Sequence, residues 1–223
     1  PEIELPKKRI RNQYLQLNGY SFRPIDSIDK TIYQGLVYNL EVEEDHSYLA
    51  NGVAVHNCFV LGVPDSIEGI YDTLKHSALI FQSGGGVGYS FSSLRAAGTI
   101  IASTHKLASG PLSFMEVFDS SCEAMKQGGV RKGANMGVLR IDHPDILSFI
   151  TEKTHGKLQN FNVSVAATDA FMHAVVHNKN YSLRDHKGKK VRDVNAREVF
   201  DFLCTHAWEC GDPGMLFIDE INR

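Results

Sequence analysis

Residues 58–70 read Cys58-Phe59-Val60-Leu61-Gly62-Val63-Pro64-Asp65-Ser66-Ile67-Glu68-Gly69-Ile70, and this stretch decides the fold. Cys58–Val63 is a short apolar run rich in β-branched residues, which suits a strand. Asp65-Ser66-Ile67-Glu68 then sets an oxygen acceptor three residues ahead of a glutamate, the pattern of a capping box. Ile67, Ile70, Leu74, Ala78 and Leu79 follow at helical spacing. A strand running straight into a capped helix is the unit of an α/β fold.

The same alternation continues downstream. Pro111 suits the first turn of a helix carrying Phe114, Val117, Phe118, Cys122 and Met125, which Gly128 and Gly129 end. Asn135–Ile141 reads as a strand, Pro144–Ile150 as a short helix and Phe161–Ala167 as a strand. Thr168 caps a helix over Phe171–Val176. Tyr181–Arg184 and Lys190–Val194 flank His186-Lys187-Gly188 as a hairpin. Asn195 caps a long helix to Cys210, Gly211-Asp212-Pro213-Gly214 stops it, and Met215–Ile218 is a last strand.

Upstream the pattern changes. Ile32–Tyr33, Leu36–Val42, Ser47–Ala50 and Val53–Val55 are β-prone runs broken by Gly35, by Glu43-Glu44-Asp45 and by Asn51-Gly52, the last a strong hairpin signal. The chain is therefore expected to divide into an all-β segment, 1–57, and an α/β segment, 58–223. Neither an internal repeat nor a low-complexity tract is evident.

Composition excludes several classes. The 223 residues are 43% hydrophobic and 22% charged, with net charge −3. That balance argues against dominant non-specific nucleic-acid binding. The basic run Lys7-Lys8-Arg9-Ile10-Arg11 reads as a solvated face. No apolar run approaches the ~18–20 residues of a membrane span, and the first residues lack a signal-peptide pattern; a cytoplasmic protein is expected. Cys58, Cys122, Cys204 and Cys210 are widely spaced without a CxxC, against a disulfide framework or a zinc site. The last three are expected to pack in the core. Without an initiator methionine, and stopping at Ile221-Asn222-Arg223, the chain is expected to be a piece of a longer protein.

The junction of the two segments carries the sharpest chemistry: Val55-His56-Asn57-Cys58. An asparagine side-chain nitrogen can attack its own peptide carbonyl, giving a succinimide and a new amine on the next residue. The reaction is slow unaided, and an adjacent imidazole supplies the proton transfer it needs. His56 is adjacent, and His46 sits ten residues back across the expected hairpin. Cys58 can accept an acyl group as a thioester, with its new amine in reach for transfer to nitrogen.

Leu36-Val37-Tyr38-Asn39-Leu40-Glu41-Val42-Glu43, His46-Ser47-Tyr48-Leu49-Ala50-Asn51-Gly52 and Val55-His56-Asn57-Cys58 together resemble the C-terminal end of an intein of the Hedgehog/intein type, in order and spacing. The resemblance implies that Asn57 cyclises, that His56 and His46 assist, and that Cys58 is the first residue of the downstream host. It departs at Asn39, where aspartate is common, which bears on nucleophile activation. It also implies a partner, the N-terminal intein half, without which the chain can cleave at Asn57 or splice only in trans.

From Cys58 onward the chain resembles the large subunit of a ribonucleotide reductase, most of all the adenosylcobalamin-dependent class. The landmarks are Cys58-Phe59-Val60-Leu61, Pro64-Asp65-Ser66-Ile67, Ser83-Gly84-Gly85-Gly86-Val87-Gly88, Ser109-Gly110-Pro111, Gln127–Met136, Asp142-His143-Pro144-Asp145 and Gly211-Asp212-Pro213-Gly214. The resemblance implies the first half of a ten-stranded barrel. It assigns the substrate nucleotide to Ser83, Gly84, Gly85 and Gly86, and a regulatory deoxynucleotide to Asp65 (its sugar), Arg95 (its phosphates), Gln127 and Arg131. Cys58 would be one of the redox pair that reduces the ribose. The thiyl-radical cysteine would lie beyond Arg223, so this segment alone is not expected to turn over. The implied cofactor is adenosylcobalamin, and no residue here is assigned to it. The implied partners are a ribonucleotide, a deoxynucleotide effector, a thiol reductant such as thioredoxin, and a second copy as a homodimer; neither a membrane nor a bound metal ion is expected. The alternatives are a non-catalytic nucleotide-binding module, or a reductase that uses a separate metal subunit.

Overall fold

The computed structural model describes residues 15–17, 20–22, 47–50, 53–56, 59–82, 85–102, 104–125 and 134–223. The backbone divides into two compact units, Pro1–Leu40 and Glu41–Arg223. In the first, β1 (Leu15–Leu17) and β2 (Tyr20–Phe22) pair antiparallel, with Leu17 opposite Tyr20. The sequence reading missed this pair, although Asn18-Gly19 between the two strands is the same hairpin signal it used at Asn51-Gly52. In the second unit β3 (Ser47–Ala50) and β4 (Val53–His56) form the expected antiparallel hairpin. The expected runs Ile32–Tyr33 and Leu36–Val42 lie outside the described residues.

The α/β expectation holds. Five strands, β5 (Phe59–Gly62), β6 (Val87–Ser90), β7 (Asn135–Arg140), β8 (Phe161–Ala167) and β11 (Gly214–Phe217), lie side by side in chain order, and every pair is parallel. The crossovers carry α1 (Ile67–Gln82), α2 (Gly110–Ala124) and α3 (Ile146–Thr151). The longest holds α4 (Asp169–Val176), a separate hairpin of β9 (Asn180–Arg184) and β10 (Lys190–Asn195), and α5 (Ala196–Cys210). A last turn of helix, α6 (Ile218–Ile221), follows β11. A doubly wound sheet reverses its strand order at a switch point, whereas a barrel adds strands in sequence. This sheet never reverses, which is consistent with half of the expected barrel.

One face of the sheet is covered. Val87, Tyr89, Phe91, Leu139, Ile141, Phe161, Val163 and Val165 are buried in a single cluster with Ile70 of α1, Met115 and Phe118 of α2, Phe149 of α3, Phe171 of α4 and Leu203 of α5. Because side chains alternate along a strand, the residues between them face the other way. Val60 there is 83% exposed. Tyr89, Phe91, Phe118 and Phe161 stack with ring centroids 5.1 to 6.2 Å apart, Phe118 edge-on to both Tyr89 and Phe91. Such pairs add about 0.5–1.5 kcal/mol each beyond their buried area.

Local expectations hold with three corrections. Thr168 and Asn195 cap α4 and α5 as expected, accepting from Phe171 and Glu198, and Gly211 ends α5 at φ 83°. At α1, however, the cap is Ser66: its hydroxyl accepts the Gly69 N–H and its carbonyl the Ile70 N–H. Asp65, one residue earlier, is engaged elsewhere. The short helix starts at Ile146, because Asp145 turns its carboxylate to the Ala97 N–H. Of the three cysteines expected in the core only Cys122 is buried; Cys204 and Cys210 lie on the exposed side of α5. No helix among the described residues is long and apolar enough to cross a membrane.

Candidate functional site

Asp65 and Arg95 follow the C-terminal ends of β5 and β6, which are neighbours in the sheet, and the structure brings them together. The Arg95 backbone N–H donates to Asp65 Oδ1 at 3.2 Å. Its Nε donates to Oδ1 at 3.1 Å and Oδ2 at 2.9 Å, and Nη2 lies 2.8 Å from Oδ2. Hydrogen bonding to Asp65 raises the Arg95 pKa above its ordinary value.

Three residues to which the sequence reading gave no role hold the segment around Arg95. Buried His143 donates Nε2–H to the Leu94 carbonyl at 3.0 Å, while its Nδ1 accepts the Asp145 N–H at 3.1 Å. Burial lowers the His143 pKa, the expected sense for a neutral ring wedged between a carbonyl and an N–H. Asp145 Oδ2 accepts the Ala97 N–H at 2.8 Å. The third is His186, in the β9–β10 turn, with Nε2 3.9 Å from Asp65 Oδ2. The turn is fixed by Asp185, whose Oδ1 accepts the Lys187 and Lys189 N–H groups. Those bonds, the Lys189 one first, lower the Asp185 pKa. The hairpin is tied to the turn after β7, where the Arg184 N–H donates to the Asp142 carbonyl at 2.6 Å. The signal for His143 and Asp145 was in Asp142-His143-Pro144-Asp145. For His186 nothing local signals a partner 121 positions earlier in the chain.

The glycine turn lies at the other edge of the sheet. Gly85 and Gly86 precede β6, so they are separated from Arg95 by the strand itself, roughly 13 Å for four residues. The Gly85 N–H donates to the Ile80 carbonyl at 3.1 Å, and the Gly86 carbonyl accepts the Phe59 N–H at 2.9 Å. A Cβ on Gly85 would meet Ile80 Cγ2 at 2.7 Å and Phe59 Cε2 at 3.1 Å. Close packing of the protein's own side chains thus requires glycine here, whatever ligand it also meets. The Val87 N–H donates to the Ala134 carbonyl at 2.9 Å. Nearby, the buried Tyr89 hydroxyl donates to Asn135 Oδ1 at 3.2 Å, and burial raises its pKa; Asn135 Nδ2 has no partner among the described residues. Ser83, Gly84, Gln127 and Arg131 lie outside the described residues.

At the junction, β3 and β4 pair with Ser47 opposite His56. His46, Asn57 and Cys58 lie outside the described residues, and His56 is described only as strand backbone.

Residues 56–223 match the ribonucleotide reductase barrel-domain family. The chain is similar to the vitamin B12-dependent ribonucleoside-diphosphate reductase of Thermoplasma acidophilum, 49% identical over 169 residues, covering 74% of this chain and 22% of that protein. The reductase of the same name from Mycobacterium tuberculosis H37Rv is 46% identical over 169 residues, 74% of this chain and 24% of the relative. The vitamin B12-dependent ribonucleotide reductase of Streptomyces clavuligerus is 36% identical over 195 residues, 76% of this chain and 20% of the relative. The chain therefore spans less than a quarter of these relatives. With a parallel sheet that adds its strands in order and a family match over residues 56–223, the chain belongs to the ribonucleotide reductase barrel-domain family.

Proposed function

We infer that residues 58–223 form the first half of the barrel of an adenosylcobalamin-dependent ribonucleoside-diphosphate reductase. The observation that carries this is the unreversed five-strand parallel sheet in the matched region, together with relatives named for that activity. Cys58 supplies one of two thiols. The pair supplies two electrons and two protons: one hydrogen replaces the hydroxyl on the ribose 2′ carbon, the other leaves with that hydroxyl as water, and the thiols become a disulfide that a thiol reductant such as thioredoxin reopens. Gly85 and Gly86, with Ser83 and Gly84, face the substrate nucleotide. Asp65 and Arg95, with Gln127 and Arg131, take a deoxynucleotide effector at a homodimer contact. The relatives are named as vitamin B12-dependent, and the full-length enzyme would take adenosylcobalamin; none of the described residues is assigned to it. The test is turnover of the full-length protein with adenosylcobalamin and a dithiol. Cys58→Ser should abolish turnover and Arg95→Ala should abolish effector response. Full activity of Cys58→Ser sinks the redox role.

Residues 1–57 are the C-terminal part of an intein, and Asn57 cyclises to release Cys58. Two observations support this reading: the family match starts at residue 56, and the β3–β4 hairpin sets Ser47 opposite His56. One cysteine then serves both splicing and reduction, so a change that escapes one damages the other. Intact-mass spectrometry of the chain, incubated at neutral pH with thiol and the N-terminal half, tests it. The reading requires a break before Cys58 with the upstream piece ending in a succinimide, lighter by one water than the same piece ending in a free Asn57 acid, and an unbroken chain overturns it.

A further inference from the structure

The proposed function gives Asp65 and Arg95 to one nucleotide, and the role assigned here to His186 rests on that reading. In this structure Asp65 and Arg95 are bonded to each other. Both carboxylate oxygens accept from the Arg95 side chain, and Oδ1 also accepts its backbone N–H. A forked pair plus a backbone N–H is what a phosphate would take from the same arginine. Asp65 therefore occupies the place of the anion, and a phosphate reaching Arg95 must displace it. The carboxylate, 22% exposed, would then lose most of its donors, a costly state for a charge this far from water.

A replacement stands beside it. His186 Nε2 is 3.9 Å from Asp65 Oδ2, just beyond hydrogen-bond range, on a ring only 17% exposed. Its other nitrogen, Nδ1, is buried without a partner among the described residues. A proton on Nδ1 would be an orphaned donor, and a bare Nε2 would turn its lone pair on a carboxylate. The Nε2–H tautomer avoids both, so the free donor points at Asp65. Asp185 fixes the turn that presents it.

We propose a partner exchange: the phosphates of a nucleotide take Arg95 from Asp65, and His186 takes Asp65, holding its carboxylate to receive the sugar hydroxyl. His186 is a positioning residue of this site, and Asp65 is the self-ligand that keeps Arg95 occupied until a phosphate arrives.

The exchange separates two ligands. Inorganic tripolyphosphate needs only Arg95; a deoxynucleoside triphosphate needs Arg95 and Asp65. Isothermal titration of the full-length protein should show Asp65→Asn binding tripolyphosphate about tenfold tighter than wild type and the deoxynucleotide more weakly. Asp142→Asn, which removes a charge at the same edge without releasing Arg95, should gain far less. His186→Leu should weaken the deoxynucleotide about fivefold and leave tripolyphosphate unchanged, and His186→Gln, which keeps an N–H at similar reach, should restore it. No gain for Asp65→Asn over Asp142→Asn, or equal behaviour of the two His186 variants, overturns the exchange while Arg95-dependent binding still upholds the nucleotide site. If Arg95→Ala changes neither affinity, the site and the exchange fall together.

Discussion

The two edges of the parallel sheet are held in different ways. At the C-terminal edge, side chains do the tying: Asp65 to Arg95, His143 to Leu94 and Asp145, Asp145 to Ala97. Around the glycine turn, at the N-terminal ends of β5 and β6, backbone groups bond to one another, Gly85 to Ile80, Phe59 to Gly86 and Val87 to Ala134. Side-chain ties can exchange partners without unravelling the sheet, whereas backbone ties cannot. Asp65 and Arg95 of the proposed effector site and Gly85 and Gly86 of the proposed substrate turn lie at opposite ends of these strands.

Phe91 is shared by both edges through the aromatic cluster, and breaking it should erase the contrast. It is fully buried and stacks on Tyr89, Phe118 and Phe161. Phe91→Ala should cost about 3–5 kcal/mol. Hydrogen exchange should then speed up together at the Ala97 and Gly85 amides. Faster exchange at one edge alone would mean the edges unfold independently.

His143 should break only the C-terminal edge. His143→Leu leaves the Leu94 carbonyl and the Asp145 N–H unpaired in a buried place, at about 2–3 kcal/mol. The native ring also ties stability to pH. Its folded pKa lies below the unfolded value of about 6.5, so the unfolded chain binds the extra proton first. Its contribution is complete above about pH 6.5 and is lost as pH falls through the folded pKa. Denaturant titrations from pH 7 to pH 5 should show wild type losing stability faster than His143→Leu; parallel curves would refute the buried neutral ring.

Legibility in the sequence depends on range. The strands, the caps at Thr168 and Asn195 and the stop at Gly211 depend on neighbours within a few residues, and periodicity and local chemistry expose them. The shift of the α1 cap from Asp65 to Ser66 was not legible, because Asp65 is drawn off by Arg95 thirty residues away. That Asp65 and Arg95 belong to one site came only through a family resemblance, and their bond to each other and the place of His186 came from nothing in the sequence, since a hairpin turn says what it folds into and not what it leans on. Cys204 and Cys210 misled because helical spacing gives a face but not which face is covered.

Gly85 sharpens the contrast from the other edge, with the smallest effect. Its position offers a Cβ only 2.7 Å from Ile80 Cγ2 and 3.1 Å from Phe59 Cε2. Ile80 ends near the C-terminus of α1 and Phe59 opens β5, so Gly85→Ala must push apart the helix and the strand that flank the turn. Overpacking of this kind costs about 1–3 kcal/mol. The disturbance should stay local: faster exchange at Phe59 and Gly85, unchanged exchange at Arg95 and Ala97, and no change in the pH dependence that His143 sets. Substrate affinity should fall while the affinity for effector at Arg95 holds. A Gly85→Ala protein whose Arg95 and Ala97 amides exchange faster would show that the two edges are one cooperative unit, and the division between exchangeable and fixed ties would fail with it.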